Sequence, residues 1–210
     1  MSPKKSFLSD EEMEKIRHAV AQAEEGTFGE IATMVVEESD SYREALLLGV
    51  LFISGFVALL VSITIQHVTI WSYIPLVLVL MLPCYQILKI FPRLKIFFVE
   101  RKRLNEAVRD RAVKAFYEKG LYRTKQETGV LIFISLLEHK VWILGDRVIN
   151  EKIRPESWQS LAAELAIGIR QGKACESLCA IIQSCGEELA KHFPRAPGAE
   201  INELSDEIII

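Results

Sequence analysis

The chain has 210 residues, a formal net charge of −3 and four cysteines without a CxxC spacing. This spacing argues against metal or redox use, and Cys175 and Cys185 instead fit a helical apolar stripe as core thiols in a reducing compartment. The net charge conceals an asymmetry, because residues 1–44 carry eleven acids against five bases, whereas residues 89–125 carry twelve bases against four acids. Since this basic run directly follows an apolar stretch, we attribute it to attraction for anionic lipid rather than for nucleic acid.

The first predicted elements are an amphipathic helix and a strand. Ser9, with Glu12 three residues later, forms a capping box that opens the helix. Apolar residues recur at helical spacing up to Gly26, which ends the helix, and residues 30–36 are typical of a strand. The N-terminus runs straight into this acidic helix, so we expect no signal peptide.

Two uncharged apolar stretches follow, at residues 45–65 and about 68–88, each 21 residues long. A helix rises about 1.5 Å per residue, so each stretch can cross a hydrocarbon core of roughly 30 Å. The link at Gln66, His67 and Val68 permits only a tight hairpin, which places both ends of the protein on one side. The alternative is a pair of buried helices in a soluble core, but core helices usually keep a polar stripe.

The charges that flank these stretches orient the hairpin. The link contains no Lys or Arg, whereas residues 89–125 contain twelve, and Lys4, Lys5 and Arg43 precede the first span. By the positive-inside rule, both termini and the soluble domain face the cytoplasm, as in a multi-pass protein of the inner (cytoplasmic) membrane. Because neither span contains a charged residue, we predict an anchor rather than a transport pathway.

The sequence after the hairpin predicts three more helices and two strands. In chain order these are a helix over 100–119, strands over 130–137 and 140–144, and helices over 155–170 and 173–192. The first of the two strands is nearly all apolar, so we expect it to be covered on both faces.

The soluble residues form one domain that the hairpin interrupts. Removing the apolar stretches leaves 166 residues, which is ample for one α/β domain with its own core. We expect the two halves of that domain at residues 1–44 and 89–193, the transmembrane helical hairpin at 45–88 and an acidic tail at 194–210.

The order of these elements, with their glycines, resembles the TPM domain family. The resemblance rests on Lys119-Gly-Leu121, on Thr128 to Ile134, on Val141 to Asp146 and on the two closing helices. It implies a compact α/β/α sandwich, here interrupted by the transmembrane hairpin. Members are membrane-associated or secreted and are variously linked to photosystem repair, receptor assembly, weak acid-phosphatase activity and divalent-metal binding.

This chain departs from the family pattern at two places. Glu127-Thr128 stands where many members have Asp-Asn, and Arg147 follows Asp146. Many relatives also work outside the cytoplasm, whereas the charge rule places this domain inside. Both differences weaken the transfer of phosphatase activity to this chain.

The candidate metal ligands are Asp40, after the first strand, and Asp146, after the third. Ligand sites on open α/β sheets lie at the carboxyl ends of strands, so these two acids could converge and bind Ca²⁺ or Mg²⁺ through oxygen. The simpler interpretation is that they are solvated loop acids or helix caps. The four histidines lack metal-ligand spacing, and no nucleophile elbow or phosphate-binding loop occurs.

Two functions from different classes remain open. The first is a membrane-anchored scaffold or assembly module that recruits or stabilises a protein partner whose identity the sequence does not give. The second is a divalent-metal-dependent phosphatase of low activity that uses the acids. The lack of a catalytic constellation favours the first.

Overall fold

The computed structural model describes residues 7–65, 69–124 and 127–195. The chain divides into two compact units: residues 1–39 with 108–210 form the first, and residues 40–107 form the second. The predicted link at residues 66–68 and nearly all of the predicted acidic tail lie outside the described residues.

The described residues contain three strands, eight α-helices and one short 3₁₀ turn at Leu121–Arg123. The strands are β1 Glu30–Val36, β2 Gly129–Ser135 and β3 Lys140–Gly145. The helices are α1 Asp10–Glu24, α2 Arg43–Thr64, α3 Ile70–Ile90, α4 Pro92–Ile96, α5 Arg101–Glu118, α6 Arg147–Lys152, α7 Pro155–Arg170 and α8 Ala174–His192.

The three strands form one sheet in the order β1-β2-β3. β1 and β2 are parallel, with Glu30 opposite Gly129, and β2 and β3 are antiparallel, with Val130 opposite Gly145. The start of β1, the start of β2 and the end of β3 therefore lie at one end of the sheet. The strand that precedes α2 and α3 thus belongs to the same sheet as the two strands that follow them.

The central strand β2 is buried along its whole length, as its apolar sequence predicts. Val130, Ile132 and Ile134 face one core, to which α1, α7 and α8 contribute. Leu131 and Phe133 face the other core. Alternate residues of one strand thus stabilise two separate cores.

The second core is covered by the C-terminal part of α5 and by Leu121. Helices therefore lie on both faces of the sheet, and the α/β/α sandwich is confirmed.

β2 ends at Ser135, two residues before the predicted end, and α4, α6 and the 3₁₀ turn have no counterpart among the predicted elements. Each of these three is six residues or shorter, which is too short to show a helical period.

Local signals in the sequence explain where the helices begin and where they pack. Ser9 and Glu12 form the predicted capping box, and the hydrogen bonds from Ser9 lower the pKa of the Glu12 carboxyl. Gly120 ends α5 with a φ of 72°, which glycine adopts without strain. A Cβ atom at Gly186 would lie 2.8 Å from the carbonyl oxygen of Ala23, so this glycine allows α8 to approach α1 closely.

In the second unit α2 and α3 pack against each other through Val50, Cys84 and Leu88. The hydroxyl of Tyr73 on α3 donates a hydrogen bond of 3.0 Å to the carbonyl oxygen of Gly55 on α2. A second cluster, at the start of α2, is built around the fully buried Tyr42 with residues of α4 and α5.

Candidate functional site

Three charged side chains gather at the end of the sheet where β1 and β2 begin. Arg147 donates to Glu127 from Nε at 3.2 Å and from Nη2 at 2.7 Å, and its Nη1 lies 3.9 Å from Glu151. Arg147 and Glu127 are residues at which the sequence departs from the family pattern that it resembles. In this chain a guanidinium is thus the cation that neutralises the carboxylate.

Asp146 lies at the same end of the sheet and caps α6. Its backbone N–H donates a hydrogen bond of 2.9 Å to the carbonyl oxygen of Gly129. One of its carboxylate oxygens accepts a hydrogen bond of 2.6 Å from the backbone N–H of Arg147. Its other oxygen, Oδ2, is buried and has no hydrogen-bond partner among the described residues. Burial, and secondarily the charge of Glu127, raises the pKa of Asp146 above its ordinary value. Asp146 therefore has one of the simpler roles expected for it, that of a helix cap.

We expect Asp146→Asn to be better tolerated as the pH rises. A carboxyl whose pKa is raised on folding stabilises the fold below roughly pH 4, its unfolded value, and this contribution is lost as the pH rises through the folded pKa. Asparagine keeps the capping oxygen without the charge. The melting temperature of the variant minus that of the wild type should therefore increase between pH 3 and pH 6.

Asp146→Ala is the matched control, because it removes the charge and the cap together. It should be less stable than Asp146→Asn by about 0.5–2 kcal/mol at pH 6. A melting-temperature difference between the asparagine variant and the wild type that stays constant with pH would contradict this role for Asp146.

Asp40 belongs to the second unit and has a different set of partners. Arg103 donates a hydrogen bond to its Oδ2, and the backbone N–H of Ser41 donates 2.6 Å to its Oδ1. Arg103 also lies 3.6 Å from Glu44. Asp40 is thus one part of an ion-paired group at the start of α2.

Asp40 and Asp146, the two predicted metal ligands, belong to different units of the chain. Asp40 follows the end of β1 in the sequence, whereas Asp146 follows the end of the antiparallel β3, at the end of the sheet where β1 and β2 begin. Across residues 7–65, 69–124 and 127–195, no group of three or more His, Cys, Asp or Glu side chains is arranged to hold a metal ion. The Ca²⁺ or Mg²⁺ site on these two acids stays a prediction.

A buried polar cluster at the other end of the sheet was missed by the sequence reasoning. Ser135, at the end of β2, donates to Oε2 of Glu138, and the hydroxyls of Ser39 and Ser135 are 2.8 Å apart. The backbone N–H of Ser39 donates a hydrogen bond of 3.0 Å to Oε1 of Glu138. Glu138 is only 7% exposed, so these contacts compensate for the cost of burying it. The one local signal is the Ser-x-x-Glu spacing at Ser135.

The cysteines that line α8 have the properties of core thiols. Burial raises the pKa of Cys185 to about 12. Burial, and next the neighbouring Cys175, raises the pKa of Cys179 to about 11. Thiols this weakly acidic are poor nucleophiles near neutral pH, which argues against a catalytic role for them.

Comparison with known proteins identifies a domain in the part of the chain that follows α3. A family model described as the TPM domain matches residues 93–188. The chain carries a TPM domain. An NMR structure of the BA42 protein from the psychrophilic bacterium Bizionia argentinensis is similar in fold, with a TM-score of 0.62 and 22% sequence identity over 100% of this chain and 99% of that chain. A search of curated proteins found no match.

The matched range of the TPM domain includes β2 and β3 but begins after β1. β1 nevertheless completes the sheet by pairing along its whole length with β2. The resemblance inferred for residues 7–38 thus describes a part of the fold that lies outside the matched range. The two long apolar helices, α2 and α3, precede the match as well.

Next to the sheet, the first unit has an open groove between α1 and α8. Its lining includes six small residues: Ala19, Ala23, Gly26, Ala180, Gly186 and Ala190. Its lining also includes four acids, Asp10, Glu11, Glu14 and Glu187, against one lysine and one histidine. The lining of the groove therefore combines small side chains with an excess of acids.

α2 and α3 are long and apolar enough to cross a membrane. The most apolar 18-residue stretch is 28% buried in α2 and 11% buried in α3. Trp71 and Leu82 on α3 are 91% and 73% exposed. Both helices therefore expose large apolar side chains.

Proposed function

We propose that α2 and α3 form a transmembrane hairpin that anchors the TPM domain to a bilayer. The observation that carries this proposal is the outward-facing apolar surface of the two helices. It includes Leu47, Leu48, Leu51, Phe52, Phe56, Ile63, Ile70, Ile74, Leu78 and Val79, all more than half exposed. Removing one such side chain from water is worth about 1.5–3 kcal/mol, so lipid stabilises this surface far better than water does.

The exposure of these helices also weighs against the alternative of core helices in a soluble protein. The core helix of a soluble protein is mostly buried, whereas α2 and α3 are mostly exposed. By the positive-inside rule, we propose that both termini and the TPM domain lie on the cytoplasmic side of an inner membrane. Residues 89–125 supply twelve lysines and arginines to that side, and residues 66–68 supply none to the other.

The anchored domain acts, in this proposal, as a scaffold or assembly module. The groove between α1 and α8 is the surface offered to a protein partner. The acids and the small residues of its lining are complementary to a cationic helix that has a narrow apolar face. We therefore propose a partner segment rich in Lys and Arg.

Site-specific photo-crosslinking in native membranes tests this role. A photoreactive residue at Ala180, which is exposed in the groove, should crosslink to one partner, and mass spectrometry should identify the crosslinked peptide as basic. Reversing the charge of two lining acids with Glu14→Lys and Glu187→Lys should reduce the yield of the crosslinked product about tenfold or more. Charge pairs at an interface are worth about 1.5 kcal/mol or more.

Ala163, on the exposed face of α7, is the matched control position. It should give no specific product. Equal crosslinking from Ala180 and Ala163, or an acidic peptide attached at Ala180, would contradict the proposed partner chemistry.

The metal-dependent phosphatase stays a prediction that no specific observation on the described residues favours. The carboxylates of Glu127 and Glu151 already face the guanidinium of Arg147. A metal ion would have to compete with this guanidinium for Glu127.

A further inference from the structure

The segment that follows α3 exposes large apolar side chains around a very short helix. Phe97 is 87% exposed, Phe91 58% and Leu94 40%, and Ile90, the last residue of α3, is 67% exposed. We call these four residues the α4 patch. An exposed patch of this composition indicates an interaction surface.

The opposite side of α4 is fixed within the second unit. Lys95 is only 7% exposed, its Nζ donates 3.1 Å to the carbonyl oxygen of Ser41, and it lies 5.7 Å from the ring centroid of Tyr42. Phe98 packs on Phe52 of α2 with a ring-centroid distance of 6.1 Å. These contacts hold the α4 patch in its outward orientation.

Exposed cations lie before, within and after the patch in the sequence. Lys89, Arg93 and Arg101 are exposed, and none of the described residues forms an ion pair with them. Arg103, by contrast, is held by Asp40 and Glu44. Lys102 has only a 3.9 Å approach to Glu106, and Glu100 is the single acid among residues 89–103.

We propose that the α4 patch and the three cations Lys89, Arg93 and Arg101 bind the headgroup region of anionic phospholipids. This inference rests on the proposed membrane anchor, because Lys89 and Ile90 are the final turn of one of its helices. Aromatic side chains are favoured at the level of the headgroups, and lysine and arginine bind phosphate and are attracted by anionic lipid. Charge complementarity thus commits the surface to anionic rather than zwitterionic lipid.

The full chain, reconstituted into vesicles of phosphatidylcholine with or without 30% phosphatidylglycerol, tests the inference. After gentle detergent extraction, native mass spectrometry measures how many molecules of each lipid remain bound. We expect phosphatidylglycerol to be retained preferentially, and Lys89→Gln, Arg93→Gln and Arg101→Gln to lower its apparent affinity by about fivefold per cation removed.

A control variant with the same change in net charge carries Arg109→Gln, Arg154→Gln and Lys173→Gln, all in the first unit. It should keep the preference for phosphatidylglycerol. Resistance of the reconstituted wild type to carbonate extraction reports on the anchor separately.

The outcomes separate the two proposals. Carbonate resistance with equal retention of both lipids, or equal loss in both triple variants, would overturn the lipid site while leaving the anchor intact. Such a result would leave an acidic protein surface as the occupant of the patch. Extraction of the wild type by carbonate would overturn the anchor and, with it, the lipid site.

Discussion

Replacing residues 40–107 with a flexible Gly/Ser linker of about 16 residues should convert the chain into a soluble, monodisperse α/β domain. The reason is that the first unit holds all three strands and both cores of the sandwich. The entropy of closing a loop grows only logarithmically with its length, at roughly 0.6 kcal/mol per doubling, so the linker need not weaken the domain. Ultracentrifugation of lysates and size-exclusion chromatography measure the change from pellet to solution.

A fragment of residues 108–210 alone is the control for this replacement. It lacks β1, so β2 loses its parallel partner, and Ile31 and Val35 leave the core. The fragment should aggregate because an apolar strand edge is exposed. Cooperative folding of the fragment alone, or retention of the linker protein in the membrane pellet, would contradict the division of the chain into these two units.

Phe133→Ala in that linker protein should destabilise the domain by about 3–5 kcal/mol. Phe133 is fully buried in the middle of β2, where it faces the core beneath α5. Its truncation leaves a cavity in addition to the lost apolar burial. Small domains have about 5–15 kcal/mol of stability, so a large part of the total is lost, and urea unfolding should show a much lower midpoint with an unchanged m-value.

Tyr117→Ala removes an aromatic side chain of similar size from α5, the helix that covers the core around Phe133. Tyr117 is 60% exposed on α5, so its loss should cost under about 1 kcal/mol. Equal destabilisation by the two variants would show that β2 is not the centre of the core.

The central part of the fold is readable in the sequence because its signals are local. The continuous apolar run from Val130 predicts a strand buried on both faces, and β2 is buried along its whole length. Pro155 at the first position of α7 and the capping box at Ser9 place two helix starts correctly. Each of these signals depends only on neighbours within a few residues.

The candidate site is less readable because it depends on contacts between distant residues. The expectation that Asp40 and Asp146 converge applies a rule for parallel strands, but β3 runs antiparallel to β2. The end of β3 therefore lies at the same end of the sheet as the beginnings of β1 and β2. The cluster of Ser39 with Glu138 joins residues 99 positions apart, and no local pattern predicts such a pair.

The orientation of the chain in the bilayer is the most direct test of a membrane-anchored, cytoplasmic TPM domain. Single cysteines are placed at His67 and at Arg195 in a background whose four native cysteines are replaced by alanine. Intact cells are then treated with a membrane-impermeant maleimide, with permeabilised cells as the control for reactivity. We expect labelling at position 67 in intact cells and at position 195 only after permeabilisation. Labelling at position 195 in intact cells would contradict it.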